Sequence, residues 1–544
     1  MNAPTPISFD LTASGLDTLA SQIFDDIRAL SPDGPGVSRP AFSDIETQVL
    51  GHLARVARAH GLDVTEDAGR NLVFSLPRDR DATRWALIGS HVDSVPQGGN
   101  FDGLAGVVAG LLVLIEAQHS GRSLRLPVKC IAMRAEESAW FGTCYIGSRA
   151  LTGQLGRTEL EATHRGDGRS LLAHMAGIGI DMDRVAEGPL ADLSRIAEYL
   201  ELHIEQGPIL VERNLPAAVV TGIRGNIRHQ AIRCIGEGAH SGAVPRQYRH
   251  DPVMAMAALL ARLDLTWDAV LARGGDLVVT SGMVATDPAR HALARIADEV
   301  TFSLDIRSLD SETLADLRDV LAREMAAIGV ERGVRFDAGR ETPAAPALMD
   351  AGIVSGLLDA MERVGEVPFA MPSGAGHDAA VFAQAGVPAG MVFVRNRNGS
   401  HNPNEAMEIA DLMVGVRILA AHLAPQGRRA SATERTSMFI DLIETLQARG
   451  RGVAAYDFAA REALERARTD SGRAAAWYVL AQLAEDFVDR FDRMPLPKGA
   501  MEGAFDRFAR HATAFDAAET PDAMLAALGA AARDAARARE NPVA

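Results

Sequence analysis

The sequence predicts a layered α/β protein that carries an inserted α+β domain and ends in an all-α region. Three observations support this prediction: strand-like and helix-like segments alternate over residues 45–220, a smaller alternation fills residues 224–340, and amphipathic helix dominates after Pro425. The α/β pattern returns over residues 345–424. We therefore expect a domain built from residues 1–223 and 341–425, an insertion over residues 224–340, and a separate helical domain over residues 426–544.

The first α/β region contains two apolar strands with a helix between them. WALIGS (85–90) and VKCIAMRA (128–135) predict buried strands, and DGLAGVVAGLLVLIEAQ (102–118) predicts the helix. In the insertion, RHQAIRCIG, DLVVTSGMV, RIADEVTFSLDIRS and VRFDAG predict strands, whereas DPVMAMAALLARLD and ETLADLRDVLAREMAAIG predict helices. After the polar linker QGRRASATER we expect four or five helices and no strand.

Composition narrows the classes of partner and compartment. The 544 residues carry a formal charge of −16, which disfavours a nucleic-acid partner. The three cysteines, Cys130, Cys144 and Cys234, are too few for a disulfide framework and favour a reducing compartment. The N-terminus lacks the features of a signal peptide, and the longest apolar run, residues 104–117, is short for a bilayer span and predicts a buried helix. We expect a cytoplasmic protein with no membrane partner.

The first group of chemically informative residues follows the first apolar strand. His91 comes directly after that strand, where open α/β sheets place their sites. Asp93 is positioned to hold a ring nitrogen of His91, as carboxylates do for metal-bound histidines. Asp102 lies among glycines at the start of the helix, and an aspartate there is more often a simple cap. Only in combination with the other clusters does Asp102 become a candidate ligand.

The second and third groups follow two further strands. Glu136 and Glu137 end the second strand, and on an extended backbone their carboxylates would point in different directions. One would suit a metal ligand and the other a free base, although a solvated strand end is the common alternative. His203, in Glu-Leu-His-Ile-Glu-Gln-Gly-Pro, marks a third strand end, where a lone histidine is more often part of the core.

Two Gly-rich and Asn-rich loops complete the set. They are PSGAGHDA (372–379) and NGSHNPNE (398–405), and the second contains His401. Three histidines, an aspartate and a glutamate form the N/O ligand set that zinc, manganese or nickel accepts. The sequence has no G-x-S-x-G elbow, H-E-x-x-H motif or P-loop. The loose G-x-G-x-x-A spacing at 374–379 lacks a clear βαβ setting, and Cys144 lacks an activating partner.

Taken together, the clusters resemble the metal-dependent family of N-carbamoyl-L-amino-acid hydrolases, bacterial-type β-ureidopropionases and allantoate amidohydrolases. That family lies within the wider group of two-metal aminoacylase/carboxypeptidase-like enzymes. The resemblance covers residues 15–425 and rests on segments that occur in the family's order, namely SHVDSVPQGGNFDG, AEESAWFGTCYIGSRAL, LELHIEQGPIL, GAHSGAVP, SGAGHDAA and NGSHNPNEAM. It implies a two-metal aminopeptidase-like catalytic domain and makes the insertion a dimerisation (lid) domain.

The resemblance also implies a metal centre. Asp102 would bridge two divalent ions, with His91 and His203 completing one site and Glu137 and His401 completing the other. The ions would be zinc, manganese, nickel or cobalt. The further implication is a small-molecule substrate and a homodimer.

The remaining implied roles concern the reaction and the substrate. Glu136 would be the general base, and His240 would reach a neighbouring subunit's site to stabilise the oxyanion. The substrate contacts would be Gln206, Arg307 and Gly376.

Two departures from the family pattern leave the exact substrate open. The family pairs its arginine with an asparagine thirteen residues earlier, where this chain has Ala294. The helical region after residue 425 is also unusual. The implied activity is hydrolysis of the carbamoyl C–N bond of an N-carbamoyl amino acid or similar ureido acid. The alternatives are an allantoate-type amidohydrolase, an aminoacylase or dipeptidase acting on N-acyl amino acids, and a binding protein with a decayed site.

Overall fold

The computed structural model describes residues 15–290, 292–425, 439–448, 450–470, 473–491, 500–516, 518 and 521–540. The chain divides into two compact units, Met1–Pro425 and Gln426–Ala544. The predicted polar linker, residues 426–435, lies outside the described residues, as does the N-terminal segment considered for a signal peptide.

The helices of the first unit are distributed along its whole length: α1 (Leu16–Leu30), α2 (Asp44–Ala59), α3 (Leu104–Ser120), α4 (Ile146–Thr152), α5 (Arg157–Leu160), α6 (Leu171–Gly177), α7 (Met182–Glu187), α8 (Ile209–Arg213), α9 (Pro252–Ala272), α10 (Ser311–Arg332), α11 (Ala351–Arg363), α12 (Asp378–Gln384) and α13 (Ile409–Leu423).

The strands of this unit are β1 (Pro32–Asp33), β2 (Gly36–Val37), β3 (Asp63–Glu66), β4 (Leu72–Ser75), β5 (Trp85–His91), β6 (Val128–Met133), β7 (Ile196–Ile204), β8 (Ala217–Ile223), β9 (Gly225–Ile235), β10 (Ala239–His240), β11 (Val278–Thr280), β12 (Val284–Ala285), β13 (Arg295–Ile296), β14 (Glu299–Ser308), β15 (Arg335–Asp337), β16 (Glu341–Ala344), β17 (Ala347–Leu348), β18 (Ala370–Ser373), β19 (Ala389–Val394), β20 (Asn396–Arg397) and β21 (Ala406–Met407).

A large mixed sheet forms the centre of the first unit. Within the described part of the chain it has nine strands, in the order β17-β8-β19-β7-β5-β6-β4-β3, with β18 paired to β8. Its middle strands, β19, β7, β5 and β6, run parallel to one another. The carboxyl ends of parallel strands share one edge of a sheet, which is where α/β proteins bind ligands. The α/β prediction is confirmed.

Helix α3 shows how tightly this sheet is covered. Its residues are buried without interruption from Leu104 to Ile115, which confirms the predicted buried helix. Gly106 allows the close approach, because a Cβ there would lie 2.2 Å from the carbonyl oxygen of Leu202 on β7. Among the described residues, no helix has the length and apolar character needed to cross a membrane.

A second, smaller sheet forms in the inserted region. Its strand order is β11-β14-β9-β15, with β12 on β14 and β16 on β9. Helices α9 and α10 bury Leu259 and Leu321 in one core with Phe302 of β14. This is the expected α+β architecture. Strand β16 still pairs with β9, so the second sheet continues beyond the predicted boundary at residue 340.

The second unit is helical throughout its described residues. Its helices are α14 (Ile440–Ala448), α15 (Val453–Thr469), α16 (Ala474–Phe491), α17 (Ala500–Asp516) and α18 (Pro521–Glu540). Their shared core is rich in aromatic rings, with Phe439 lying 4.2 Å from Trp477 and Tyr456 lying 4.2 Å from Phe487 between ring centroids. The prediction of an all-α C-terminal region is confirmed.

The close approach of α3 to β7 generates a matched pair of stability predictions. Gly106→Ala should destabilise the first unit by about 1–3 kcal/mol, because backbone must move to admit the methyl group. Gly51→Ala is the control: it lies within α2, where the added Cβ would have its nearest neighbour 3.8 Å away. It should stabilise by about 0.5–1 kcal/mol, since alanine favours helix. Calorimetric unfolding of both variants checks this, and an unchanged transition in Gly106→Ala would contradict it.

Candidate metal centre

The ends of three parallel strands bring the predicted site residues together. His91 is the last residue of β5, His203 is the next-to-last residue of β7, and Glu136 and Glu137 follow β6 after two residues. Asp102 precedes α3 and is buried beside them. It does not act as a helix cap, because the cap position is Gly103 and no side chain makes a capping hydrogen bond there.

Asp102 stands between two groups of potential ligands. Its Oδ1 lies 3.5 Å from Nε2 of His91 and 3.1 Å from Nε2 of His203. Its Oδ2 lies 3.6 Å from Nε2 of His401, which is 3.4 Å from Oε1 of Glu137. Each group places its donor atoms within 4.8 Å of one another. The structure thus brings all five predicted ligands together, with one oxygen of Asp102 in each group.

The histidine rings of the first group present lone pairs to Asp102. Nδ1 of His91 is 3.1 Å from the carbonyl oxygen of Asp93, and Nδ1 of His203 is 3.0 Å from that of Ile204. When Nδ1 donates to these carbonyls, each Nε2 carries a lone pair on the side of the Asp102 carboxylate, and that of His203 also accepts from the N–H of Gly103 at 3.3 Å. Two facing lone pairs repel unless a cation or a proton lies between them. The nearby negative charges also favour positive charge at this position. Burial lowers the pKa of His91, but Glu136, Asp102 and Asp93 raise it well above its usual range.

The second group also fits a cation. Oε1 of Glu137 is buried and has no hydrogen-bond partner among the described residues. Burial raises the pKa of Glu137 well above its usual range, and the charge of Asp102 raises it further. A divalent cation would satisfy this oxygen and stabilise the charged carboxylate. The donor set is the borderline-hard N/O set of zinc-like ions, so the residues present fit the metal centre expected from the sequence.

Asp93 organises the acidic pair as well as His91. Its Oδ1 and Oδ2 accept hydrogen bonds from the backbone N–H groups of Glu136 and Glu137 at 2.9 and 3.0 Å. The backbone before the pair is not extended as expected, because Ala135 has a φ of 56°. This left-handed residue and the two hydrogen bonds direct the carboxylates apart.

Glu136 reaches the first group without joining it. Its Oε2 lies 4.0 Å from Nε2 of His91, and the residue is buried. Burial raises the pKa of Glu136 well above its usual range, and Glu137 and Asp378 reinforce the shift against the opposing effect of His91. A buried carboxylate with a raised pKa holds a proton more readily than an exposed one.

Two of the predicted substrate contacts lie in the same region. The amide nitrogen of Gln206 donates to Oδ2 of Asp102 at 2.8 Å. Gly376 faces the hydroxyl of Tyr145, which would lie 1.6 Å from an added Cβ, so a larger residue there would displace this tyrosine. The neighbouring thiol is not poised as a nucleophile, since burial and Glu136 raise the pKa of Cys144 to about 12.

The other two predicted residues belong to the inserted region. Arg307 forms an ion pair with Asp305, 2.7 Å from Nη2 to Oδ2, and donates from Nη1 to the carbonyl oxygen of Gly374. His240 lies on β10, opposite Arg295 of β13, and is exposed. No hydrogen bond or ion pair joins His240 to the five predicted ligands within the described chain.

The loop PSGAGHDA (372–379) joins β5 and β7 in a hydrogen-bonded layer next to the predicted ligands. Glu201 accepts from the Ser90 hydroxyl at 2.7 Å and from the N–H of Ala379 at 2.8 Å. His377 packs on His203 with ring centroids 4.4 Å apart and lies 3.0 Å from the Ser373 hydroxyl. Burial lowers the pKa of His377 well below its usual range, and His203 lowers it further. These residues support His203 from behind.

Glu405 is the last residue of the loop NGSHNPNE (398–405), and the sequence alone assigns it no role. Its Oε1 accepts from the backbone N–H groups of Phe101 at 2.7 Å and Asp102 at 3.2 Å. Gly99 makes room, because a Cβ there would lie 2.2 Å from the Glu405 carboxyl carbon. Burial raises the pKa of Glu405 to about 7, and Asp102 reinforces the shift. Glu405 therefore positions the backbone of Asp102.

The second missed residue, Arg39, carries no sequence signal at all. It is fully buried and donates to the carbonyl oxygen of Val92 at 2.6 Å and to Oδ1 of Asn100 at 3.0 Å. Burial lowers the pKa of Arg39 to about 10, although Glu405 and Asp93 oppose the shift. Arg39 thus keeps a positive charge beneath a strongly acidic centre.

Comparisons with known proteins agree with this architecture. The family described as Peptidase family M20/M25/M40 matches residues 87–424. The N-carbamoyl-L-amino acid amidohydrolase of Geobacillus stearothermophilus is 35% identical over 389 residues, covering 71% of this chain and 92% of that protein. The allantoate amidohydrolase of Escherichia coli is 31% identical over 391 residues, covering 71% and 92%.

Solved structures give the same result. An amidase of the hydantoinase/carbamoylase family from Burkholderia multivorans is 28% identical with a TM-score of 0.67, covering 75% of this chain and 97% of that one. A second such amidase, from Burkholderia ambifaria, is 27% identical with a TM-score of 0.66, covering 75% and 96%. The chain belongs to Peptidase family M20/M25/M40, whose enzymes use divalent metal ions.

Proposed function

We propose that the chain is an amidohydrolase that cleaves the carbamoyl C–N bond of an N-carbamoyl amino acid or similar ureido acid. The observation that carries this proposal is the position of Asp102, which offers one oxygen to each of two ligand groups. The relatives named N-carbamoyl-L-amino acid amidohydrolase and allantoate amidohydrolase support the choice of a non-peptide C–N bond. Hydrolysis would release the amino acid, ammonia and carbon dioxide.

The proposed centre holds two divalent cations per chain. His91, Asp102 and His203 would hold one, and Asp102, Glu137 and His401 would hold the other. Such ions lower the pKa of water and polarise a carbonyl group, which makes an unreactive urea carbonyl susceptible to attack.

Metal content provides the direct test of this arrangement. His401→Ala should lose about one ion per chain, because only the second group depends on His401. His422→Ala is the control: it removes a histidine that pairs with Glu198, away from both groups, and should retain both ions. Elemental analysis of metal-loaded proteins gives the counts. Retention of both ions in His401→Ala would remove that residue from the centre.

Glu136 is proposed to carry the proton. Its carboxylate would accept a proton from the attacking water and then donate it to the leaving nitrogen, a contribution of about 10²–10⁴ in rate. Its raised pKa favours this role, because the carboxylate can then keep the accepted proton until it is donated to the leaving nitrogen.

The neighbouring glutamates allow a matched comparison. Glu136→Gln should keep both metals and lose turnover by about two to four orders of magnitude. Glu137→Gln should lose metal as well as activity, since Glu137 is a proposed ligand. Steady-state kinetics and elemental analysis of the same samples separate the two outcomes. Metal loss in Glu136→Gln alone would reverse the assignments.

Arg307 is proposed to bind the substrate carboxylate in a bidentate pair. Its guanidinium group is held by Asp305, so a substrate carboxylate would have to compete with that residue. Ala294 leaves the substrate without the asparagine that the family resemblance pairs with this arginine, which favours a substrate that makes a different second contact.

A substrate panel tests both the reaction and the role of Arg307. N-carbamoyl amino acids should be turned over faster than N-acetyl amino acids, dipeptides and allantoate. Arg307→Lys should reduce kcat/KM on carboxylate substrates, because lysine lacks the planar fork. Arg228→Lys is its control, as Arg228 also pairs with Asp305 but lies on the exposed side of β9. Preference for an N-acyl substrate or allantoate would replace the proposed substrate class.

We propose a homodimer in which His240 of the partner subunit completes the site by stabilising the oxyanion. The support is the exposed position of His240 and an apolar sheet edge at Met283 and Val284, which are 56% and 54% exposed. Exposed apolar side chains on an outer strand of a sheet favour association with a partner.

Subunit mixing tests this arrangement. Chains carrying His240→Ala and chains carrying Glu136→Gln should each be inactive, and a mixed dimer should recover activity in one of its two sites. Mixtures of His240→Ala chains with Arg228→Lys chains, which keep all the proposed site residues, serve as the control for exchange of subunits between dimers. An inactive mixture that contains proven heterodimers would show that the site is built within one chain.

A further inference from the structure

A second cavity opens at the opposite end of the central sheet from the metal centre. It has a volume of about 230 Å³ and is bordered by Trp85, Lys129 and Ile196. These residues lie at the beginnings of β5, β6 and β7, whereas the metal centre lies at their ends. Strand β5 runs from Trp85 to His91, so these two residues, one at each site, are roughly 20 Å apart. The cavity is therefore separate from the proposed active site.

The interior of this cavity is apolar. Leu87, Ile131, Leu151 and Phe382 line it, and all four are buried members of one core cluster. Its volume equals about eight water molecules at ~30 Å³ each, which suits a small organic molecule. Small-molecule sites are usually apolar recesses of about 300–1,000 Å³ with a few polar groups, so this smaller cavity suits only a compact ligand.

Two cations lie at the mouth of the cavity beside one aromatic ring. Nζ of Lys129 is 3.7 Å and Cζ of Arg195 is 4.4 Å from the ring centroid of Trp85. Arg195 donates to the carbonyl oxygens of Ala82 and Thr83. In the part of the chain that the structure describes, neither cation has a carboxylate oxygen within ion-pair distance. Burial lowers the pKa of Lys129 and Arg195 lowers it further, although Asp79 opposes the shift.

The acidic groups around the cavity already have partners. Glu66 forms an ion pair with Arg70, and Asp192 accepts a hydrogen bond from the N–H of Ser194. Asp67 accepts from the N–H groups of Gly69 and Asn71 and from the Asn71 side chain. Each carboxylate is thus bonded within its own segment of chain, whereas neither cation has a carboxylate partner among the described residues.

Lys129 is also unusual for this sequence. The chain contains two lysines, Lys129 and Lys498, among 55 basic residues. An ammonium group is a compact charge that approaches a single carboxylate oxygen closely, whereas arginine requires a wider planar space. The rarity of lysine also makes Lys129 easy to follow chemically.

We propose that this cavity binds a small monocarboxylate with an apolar body. The body would occupy the recess against Leu87, Ile131 and Phe382, and the carboxylate would lie at the mouth between Lys129 and Arg195. The proposal does not depend on the reaction catalysed at the metal centre.

Protection of Lys129 from acetylation tests the proposal on the full-length, metal-loaded protein. Phenylacetate is the probe, and phenylacetamide is its neutral match. With an N-hydroxysuccinimide ester of acetic acid, phenylacetate should protect Lys129 and phenylacetamide should not, with Lys498 as the reference site in the same mass spectrum. Equal acetylation of Lys129 with phenylacetate up to its solubility limit would overturn the proposal.

Calorimetric titration of variants provides the second measurement. Lys129→Met should weaken phenylacetate binding about ten- to a hundredfold, which is the usual effect of losing a charge-assisted hydrogen bond. Arg195→Gln should weaken it in the same direction and serves if Lys129→Met does not fold. Arg80→Gln, whose side chain pairs with Asp63 outside the cavity, is the control and should bind normally. Unchanged affinity in Arg195→Gln and Lys129→Met, or binding that leaves Lys129 unprotected, would place phenylacetate elsewhere and reject the site.

Discussion

The shared carboxylate of Asp102 is the constraint on which the rest of this structure depends. Two imidazole nitrogens face one of its oxygens and a third faces the other, at 3.1–3.6 Å. Such an arrangement is repulsive unless positive charge lies within it, so the surrounding structure must both supply the groups and prevent them from separating. The parallel strands supply the groups. Asp93, Glu405 and Arg39 hold them, through hydrogen bonds to backbone and a buried positive charge.

The positions of two proposed ligands, His91 and His203, could be predicted because they follow from strand periodicity, whereas the complete ligand set was implied by the family resemblance. An apolar strand that ends in a polar residue marks the edge of a parallel sheet, and His91 and His203 both end such strands. The buried helix α3 could be predicted for the same reason, since its apolar run is too short for a membrane and too continuous for a surface. These are local patterns, which can be recognised in a single sequence.

The supporting contacts could not be predicted because they join distant segments. Arg39 lies 61 residues from Asn100, and Glu405 lies 303 residues from the backbone N–H of Asp102. Neither pairing follows a residue spacing that could be recognised in the sequence. Strand propensity predicts an extended backbone at Ala135, but Asp93 accepts hydrogen bonds from the N–H groups of the next two residues and so favours a turn that this propensity does not encode. The ion pair between Arg307 and Asp305 is different, because residues two apart on a strand share one face and the sequence alone could indicate their pairing.

The two ligand groups differ sharply in their access to solvent. The side chains of His91 and His203 are 2% and 1% exposed, whereas that of His401 is 51% exposed. If each group holds an ion as proposed, the ligands of one ion are all buried, whereas the other ion has one solvent-exposed ligand, His401. Exchange with the surroundings would then be slow at the first position and fast at the second. The outer ion would then respond first to a change in the surrounding metal supply, and the inner ion last.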